Sequence, residues 1–464
     1  MTGRMAGIEA LVAWAFVCSL PVIVRSEEMP LKVKARMKEG RWRGYPTRLL
    51  KHLRDFEEPA QPPKLGIYGG LTGRRYKATG FFHARKVRDR WWLIDPEGYR
   101  FIHVAVNGVR HGTSPKNKRA FPKKFGTLAK WRDATLALLR EHGFNGTACW
   151  SDDRLLREAE RPLAYTPQWN FMSRYGRKRG GVRQLPGHLG YPSRCIFVFD
   201  PEFESFCDRH ARKLAATKDD PWLVGHFSDN EMPFPHDSLD RCLKLPSDDP
   251  GRKAAEAWLA ERKGSPTARI SKADRQAWLG VVADRYLRIV STAIRKHDPN
   301  HMYLGPRFHG SDRRKPELWA AAGKYLDAIA VNVYGTWTPS KRELRQWEKW
   351  SGKPVVVTEW YAKGDDSGLA NLTGAGWTVP TQRDRGRFYQ NFVLGLLESR
   401  VCVGWHWFKY MDNDPEDLRT DPSNRNSNKG IVTTRYEPYT PLLDAMGELN
   451  AVVYPLTRYF DRGR

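Results

Sequence analysis

Residues 302–308 read MYLGPRF, residues 328–334 read AIAVNVY and residues 354–360 read PVVVTEW. Each run is short, rich in β-branched or aromatic side chains, and carries a polar or charged residue near its end. Apolar runs without in/out alternation are typical of strands buried on both faces of a parallel sheet. Working outward, five more runs of the same kind occur: 101–106 (FIHVAV), 143–150 (GFNGTACW), 163–169 (LAYTPQW), 223–231 (LVGHFSDNE) and 402–409 (CVGWHWFK). Helical-period segments lie between them, at 128–142, 201–218, 273–296 and 384–400. Eight strands alternating with helices predict an α/β fold, specifically a (β/α)8 TIM barrel over residues 79–464. Residues 79–98 alternate apolar and polar about a turn, which predicts a β-hairpin ahead of the first barrel strand. Residues 27–78 are basic and polar and read as a short N-terminal extension, irregular or helical. An open doubly wound sheet is the other arrangement, but no Gly-rich phosphate loop follows the first run.

Composition removes several classes. Hydrophobic residues make up 40% of the 464, enough for a sizeable core and too many for a disordered chain. No apolar run reaches the roughly 20 residues of a membrane span. Residues 1–26, with Arg4 ahead of the apolar stretch 11–24 and a small residue at Ser26, have the layout of a secretory signal peptide. The expected location is therefore secreted or periplasmic. Six Cys without a CxxC spacing exclude a zinc ribbon or a disulfide scaffold. No cofactor motif is present, and no metal site is expected; the cluster Asp412-Asn413-Asp414 could hold a cation, but such a cluster more often caps a turn. The formal charge of +26 favours a polyanionic partner or substrate. Nucleic acid is not expected, because no helix-turn-helix, RNP or finger spacing occurs.

The polar residues gather at the C-terminal ends of the runs: Asn107, Trp150, Asp152, Asp229, Asn230, Glu231, Arg307, Asn332, Tyr334, Glu359, His406 and Trp407. In a barrel that end is the catalytic face. Glu231 ends the fourth run and Glu359 the seventh. A Glu at the end of a buried apolar strand is costly unless it is paired, with Arg307 for example, or functional. Strands four and seven face each other across a barrel mouth, so two carboxylates there suit glycoside hydrolysis with retention. One stays ionised and attacks the anomeric carbon. The other, its pKa raised by burial and by its neighbour, protonates the leaving oxygen.

With these residues in place, the chain resembles the clan A glycoside hydrolases, and more closely the β-agarase-type enzymes of glycoside hydrolase family 50. The matching stretches include 90–98 (RWWLIDPEG), 143–152 (GFNGTACWSD), 225–231 (GHFSDNE), 298–308 (DPNHMYLGPRF), 331–335 (VNVYG), 353–360 (KPVVVTEW) and 404–410 (GWHWFKY). The resemblance implies that Glu231 is the acid/base and Glu359 the nucleophile. It implies that Asn230 bonds the sugar 2-hydroxyl, Tyr334 orients the nucleophile and Trp407 floors the subsite of the attacked sugar. Asn107, Trp150, Arg307 and His406 complete the expected substrate-binding set. Two features depart from the family: residues 27–78 are too short for its N-terminal β-rich domain, and Trp405 stands where a small residue is expected.

The segment 169–199 is a third departure, with six cations and no acid. Arg177 and Arg179 there are expected to hold sulfate or carboxylate groups. The expected function is thus a secreted retaining β-glycoside hydrolase on a galactan, with an anionic carrageenan- or porphyran-like chain preferred. Neutral agarose is one alternative. A non-catalytic polyanion-binding barrel is another.

Overall fold

The computed structural model describes residues 1, 2 and 31–462. The signal-peptide expectation falls outside the described residues. All eight apolar runs contain a strand: β1 (His103–Val106), β2 (Gly146–Thr147), β3 (Ala164–Tyr165), β4 (Gly225–Asn230), β5 (Met302–Arg307), β6 (Ile329–Asn332), β7 (Val355–Glu359) and β8 (Cys402–Trp407). Parallel ladders join β1 to β2, β2 to β3, β4 to β5, β6 to β7 and β7 to β8. Single parallel bridges link Tyr165 to Leu223, Gln168 to Phe227 and Phe308 to Val331. β8 pairs in parallel with β1, from Gly404–His103 to Trp407–Val106, so the pairings return to their start.

Period-2 alternation then sorts the side chains into two cores. Met302, Leu304, Ala330, Val356 and Val403 pack together with Phe82, Leu93 and Phe101. Their neighbours Tyr303, Ile329, Val331, Val355 and Val357 join a larger core that includes the helices. Each fully buried aliphatic side chain stabilises the fold by about 1.5–3 kcal/mol, which is why both faces stay apolar.

The helices start where capping residues stop the preceding loops. Thr127 caps α1 (Leu128–Glu141) by accepting from the Lys130 amide. α2 (Phe171–Arg179) lies in the segment after β3, and α3 (Phe203–Ala211) follows it. Ser271 and Asp274 form a reciprocal capping box on α4 (Lys272–His297), and Thr381 caps α5 (Gln382–Ser399). Among the described residues no helix is long and apolar enough to cross a membrane.

The predicted hairpin is present: His83–Val87 and Arg90–Ile94 pair antiparallel, and Arg100–Phe101 adds a third strand. Phe101 therefore belongs to this sheet, and β1 begins two residues later. The N-terminal extension differs from its expectation. Lys32–Ala35 and Arg43–Pro46 form an antiparallel pair, and Arg36 bridges to Thr378. The alternation Lys32-Val33-Lys34-Ala35 sends the cations to solvent and the apolar pair inward. Tyr45 stacks on Trp337 at 5.2 Å, and the Leu50 amide donates to Gln390 at 3.1 Å.

Candidate active site

The C-terminal ends of the strands open into a cavity of about 580 Å3, a size suited to a small ligand or a few sugar rings. Glu231, Glu359, Asn230, Trp150, Tyr334 and Arg177 all line it. Glu359 ends β7 and is buried. The Tyr334 hydroxyl donates to its Oε2, and Arg307 Nη1 lies 2.9 Å from its Oε1. The Arg307 contact is an ion pair, without the alignment of a hydrogen bond. The Arg307 guanidinium also sits 4.1 Å above the Trp150 ring.

Glu231 follows β4 with φ +50°, and Trp150 stands after β2 with φ +64°. Left-handed backbone at such residues costs about 1–3 kcal/mol and concentrates at functional positions. Asn332 ties the two halves together. Its amide donates to Glu231 Oε1 at 2.9 Å and to Asn230 Oδ1 at 3.1 Å, and its oxygen accepts from Thr358 at 2.8 Å. Thr358 precedes Glu359, so one side chain fixes both carboxylate-bearing strand ends.

Burial pushes the Glu359 carboxyl above the usual carboxylate range; Glu231 adds to this, while Arg307 and Tyr334 oppose it. The sequence places a raised pKa on the acid/base, Glu231; in the structure burial raises that of Glu359, whose carboxyl is enclosed. Removing Arg307 would leave this carboxylate buried and uncompensated. Arg307→Met is expected to destabilise the fold by about 3–5 kcal/mol at neutral pH, and by less in mild acid where Glu359 protonates. Denaturant titrations at two pH values would check this; equal losses at both would contradict it.

Five expected substrate contacts are elsewhere. Arg307 lies fully buried under Glu359, outside the cavity lining. Asn107 is also fully buried; its amide donates to the Thr358 carbonyl at 2.9 Å and braces β7. His406 points into the ring, where its Nε2 meets His103 Nδ1 at 3.0 Å. Trp407 is fully buried against the edge of Trp360 and donates to the Lys429 carbonyl at 3.1 Å. The next residues, Phe408 and Lys409, line the cavity instead. Arg179 is held by Asp200 and by Asp249 at 3.1 Å, with Phe197 beneath it at 4.0 Å.

The segment 169–199 does overhang the cavity, through Gln184, Gly187, His188 and Tyr191. Its other aromatics pin it: Phe171 is buried, Tyr175 donates to Asp200 at 3.0 Å, and Trp169 donates to His226 at 3.0 Å. Sequence reasoning missed Arg110, His309, Tyr361, Asp421 and Lys429, all of which line the cavity.

One buried cluster has metal-ligand residue types: His226, Asp298 and His301. Its atoms are already used. Asp298 accepts from His226 Nε2 at 2.7 Å and His301 Nδ1 at 2.8 Å, while Trp169 donates to His226 and His301 bonds the Asp220 carbonyl at 2.9 Å. Burial alone would raise the Asp298 carboxyl, yet the two histidines hold it well below the usual range. A depressed folded-state pKa gives stability that is present above the unfolded pKa of about 3.9 and lost as pH falls further. Asp298→Asn is therefore expected to flatten the acid side of the stability–pH curve; an unchanged acid limb would contradict this role. The Asp412 and Asp414 carboxylates cap turns, accepting from the Gly430 and Glu416 amides at 2.7 and 3.2 Å.

No family model matches the chain. Over 506 aligned positions it is 25% identical to beta-agarase B of Vibrio sp. (strain JT0107), covering 86% of this chain and 51% of that protein. It is 26% identical to beta-agarase A of the same strain over 372 positions, covering 70% and 36%. The chain thus spans about half or less of the curated relatives it matches. The crystal structure of BpGH50 superposes with a TM-score of 0.82 at 30% identity, covering 93% of this chain and 96% of that one. A structure of an exo-beta-agarase, 22% identical with a TM-score of 0.71 and coverage of 87% and 69%, shares the fold. These likenesses place the chain among glycoside hydrolases of the α/β type. It belongs to glycoside hydrolase family 50.

Proposed function

We propose that the protein is a retaining β-glycoside hydrolase that cleaves a galactan of the agarose kind. The observation that carries this is that Glu231 and Glu359, at the ends of β4 and β7, line one cavity and are held through Asn332, Tyr334 and Arg307. The closed run of eight parallel pairings supports a (β/α)8 barrel of the clan A kind, with residues 31–78 docked on it. The names of the relatives support agarose-type substrates. The N-terminal apolar stretch supports export.

In the first step Glu359 attacks the anomeric carbon and Glu231 gives its proton to the glycosidic oxygen. In the second, Glu231 takes a proton from a water whose oxygen attacks the anomeric carbon, and the bond from that carbon to Glu359 breaks. Arg307 and Tyr334 keep Glu359 charged and aimed despite its burial. Asn332 leaves Glu231 Oε2 free to face the cavity beside the Gly187 turn. Product sizing on agarose and related galactans, with Glu359→Gln as the control, tests the reading. No cleavage of any galactan would contradict it.

The raised pKa of Glu359 sets the acid limb of the rate. Attack needs the carboxylate, so kcat/KM is expected to fall as pH drops through a value above the ordinary 4.5 of a Glu. Removing the cation in Arg307→Gln should move that limb to still higher pH. A limb at or below the ordinary value, or one that stays put in the variant, would contradict this assignment.

A further inference from the structure

A second cavity, of about 620 Å3, adjoins the first and shares Gly108, Arg110, Trp150, Lys409, Asp421 and Asn424 with it. Among the described residues, cations gather at this junction without anionic hydrogen-bond partners, although Asp152 attracts Arg110 and Asp421 attracts Lys409 and Lys429 without bonding them. The Arg110 guanidinium stands at the cleft surface and makes no hydrogen bond or ion pair among the described residues. Lys409, which is buried, reaches only the Asn413 amide oxygen. Lys429, also buried, reaches the Ser423 carbonyl and Asn424 Oδ1, each at 2.7 Å, below the rings of Tyr361 and Phe408.

The neighbouring carboxylates are committed to other donors. Asp152 caps a helix, Asp414 pairs with Lys116 at 3.1 Å and Asp417 with Arg419 at 2.9 Å. Asp421 accepts from the Gly187 and Ser423 amides at 3.0 and 2.8 Å. Asp412 is filled by the Lys429 and Gly430 amides and the Tyr439 hydroxyl.

We infer that this junction is a subsite for an anionic substituent, a sulfate ester or a carboxylate, on the sugar chain, read by Arg110 with Lys409 and Lys429 behind it. The inference rests on the galactan-hydrolase reading and narrows its substrate. The cations repel one another in a low-dielectric wall, and an oxyanion between them removes that repulsion while it gains charge-assisted hydrogen bonds. The lysines already show the strain. Burial, with Arg110 adding to it, pushes Lys409 down to about 7, against the pull of Asp412 and Asp421. Burial and Lys409 push Lys429 well below its ordinary value, against Glu359 and Asp421. In the segment 169–199 Arg179 is consumed by acids, whereas Arg177 lines the first cavity and bonds only Gln184, at 2.8 Å; the junction adds a reader of charge on the loops after β1 and β8.

The test compares kcat/KM of the full chain on matched oligosaccharides: neutral agarose-type, sulfated, and oxidised to carry a carboxylate. The expected result is a preference of about tenfold or more for one of the charged chains, since a hydrogen bond to a charged group is worth that much. Whichever charged chain is preferred identifies the group. Arg110→Gln should remove most of the preference, losing about tenfold more on the charged chain than on the neutral one; Arg110→Lys should keep part of it. Lys409→Met, which keeps the shape of the stem, gives a second variant should Arg110→Gln misfold. Equal rates on neutral and charged chains, or equal losses on both in Arg110→Gln, would overturn the subsite and leave the hydrolase reading standing. Should the chain cleave no galactan, calorimetry with inorganic sulfate decides the subsite separately: binding lost in Arg110→Gln supports it, and no binding overturns it.

Discussion

Glu359→Gln is expected to lower kcat by about 10^4-fold or more on every galactan the protein cleaves, because an amide cannot form the glycosyl ester. The substitution preserves shape, and the amide can still accept from Tyr334. It does remove the charge that faces the buried Arg307 at 2.9 Å, so the variant should fold with reduced stability. Circular dichroism and a denaturant titration separate that loss from the catalytic one. Azide added to Glu359→Ala should restore turnover by attacking from the vacated side. Activity above about a hundredth of the native rate in a folded Glu359→Gln variant would remove Glu359 from the nucleophile's role.

The second large effect belongs to Glu231. General acid catalysis is worth about 10^2–10^4-fold, so Glu231→Gln should lose that much on a polysaccharide, whose leaving oxygen needs a proton. On an aryl glycoside with an acidic phenol the first step needs little protonation, and the loss should shrink to roughly tenfold or less. An equal loss on both substrates would mean that Glu231 positions the sugar instead of moving the proton. Asn332→Ala offers a companion measurement. It removes the donor to Glu231 Oε1 without touching either carboxylate, and should lower kcat more than it raises KM.

The strand pattern was legible because of where the strands lie. Residues such as Val355, Val356 and Val357 are all buried, with alternate ones facing two different cores, so the run reads as continuously apolar. What the sequence could not show is which way the last residue of each run points. A shift of one residue turns a side chain from one face to the other. Trp407 was expected in the cavity and is buried behind it, while Phe408, one residue on, lines it. Asn107 and Gly108 repeat that offset at the end of β1. The sequence leaves Arg307 two roles, a sugar contact or a partner for a glutamate; the structure pairs it with Glu359. The N-terminal strands were missed because Arg36 bridges Thr378, far away in sequence, and the cations mask Val33 and Ala35. Lys429 and Asp421 sit in a loop after β8 with no motif around them, so only the fold brings them to the site.

The sign of the anomeric product tests the central claim most directly. Glu231 and Glu359 acting as acid/base and nucleophile require two displacements at the anomeric carbon, and hence the same configuration in substrate and product. Proton NMR of the first seconds of hydrolysis of a β-linked galactan oligosaccharide, before mutarotation, reads this without further assumptions. The account predicts that the new reducing end forms first as the β-anomer. An initial α-anomer would contradict it, since water would then have attacked directly and Glu359 would be no nucleophile.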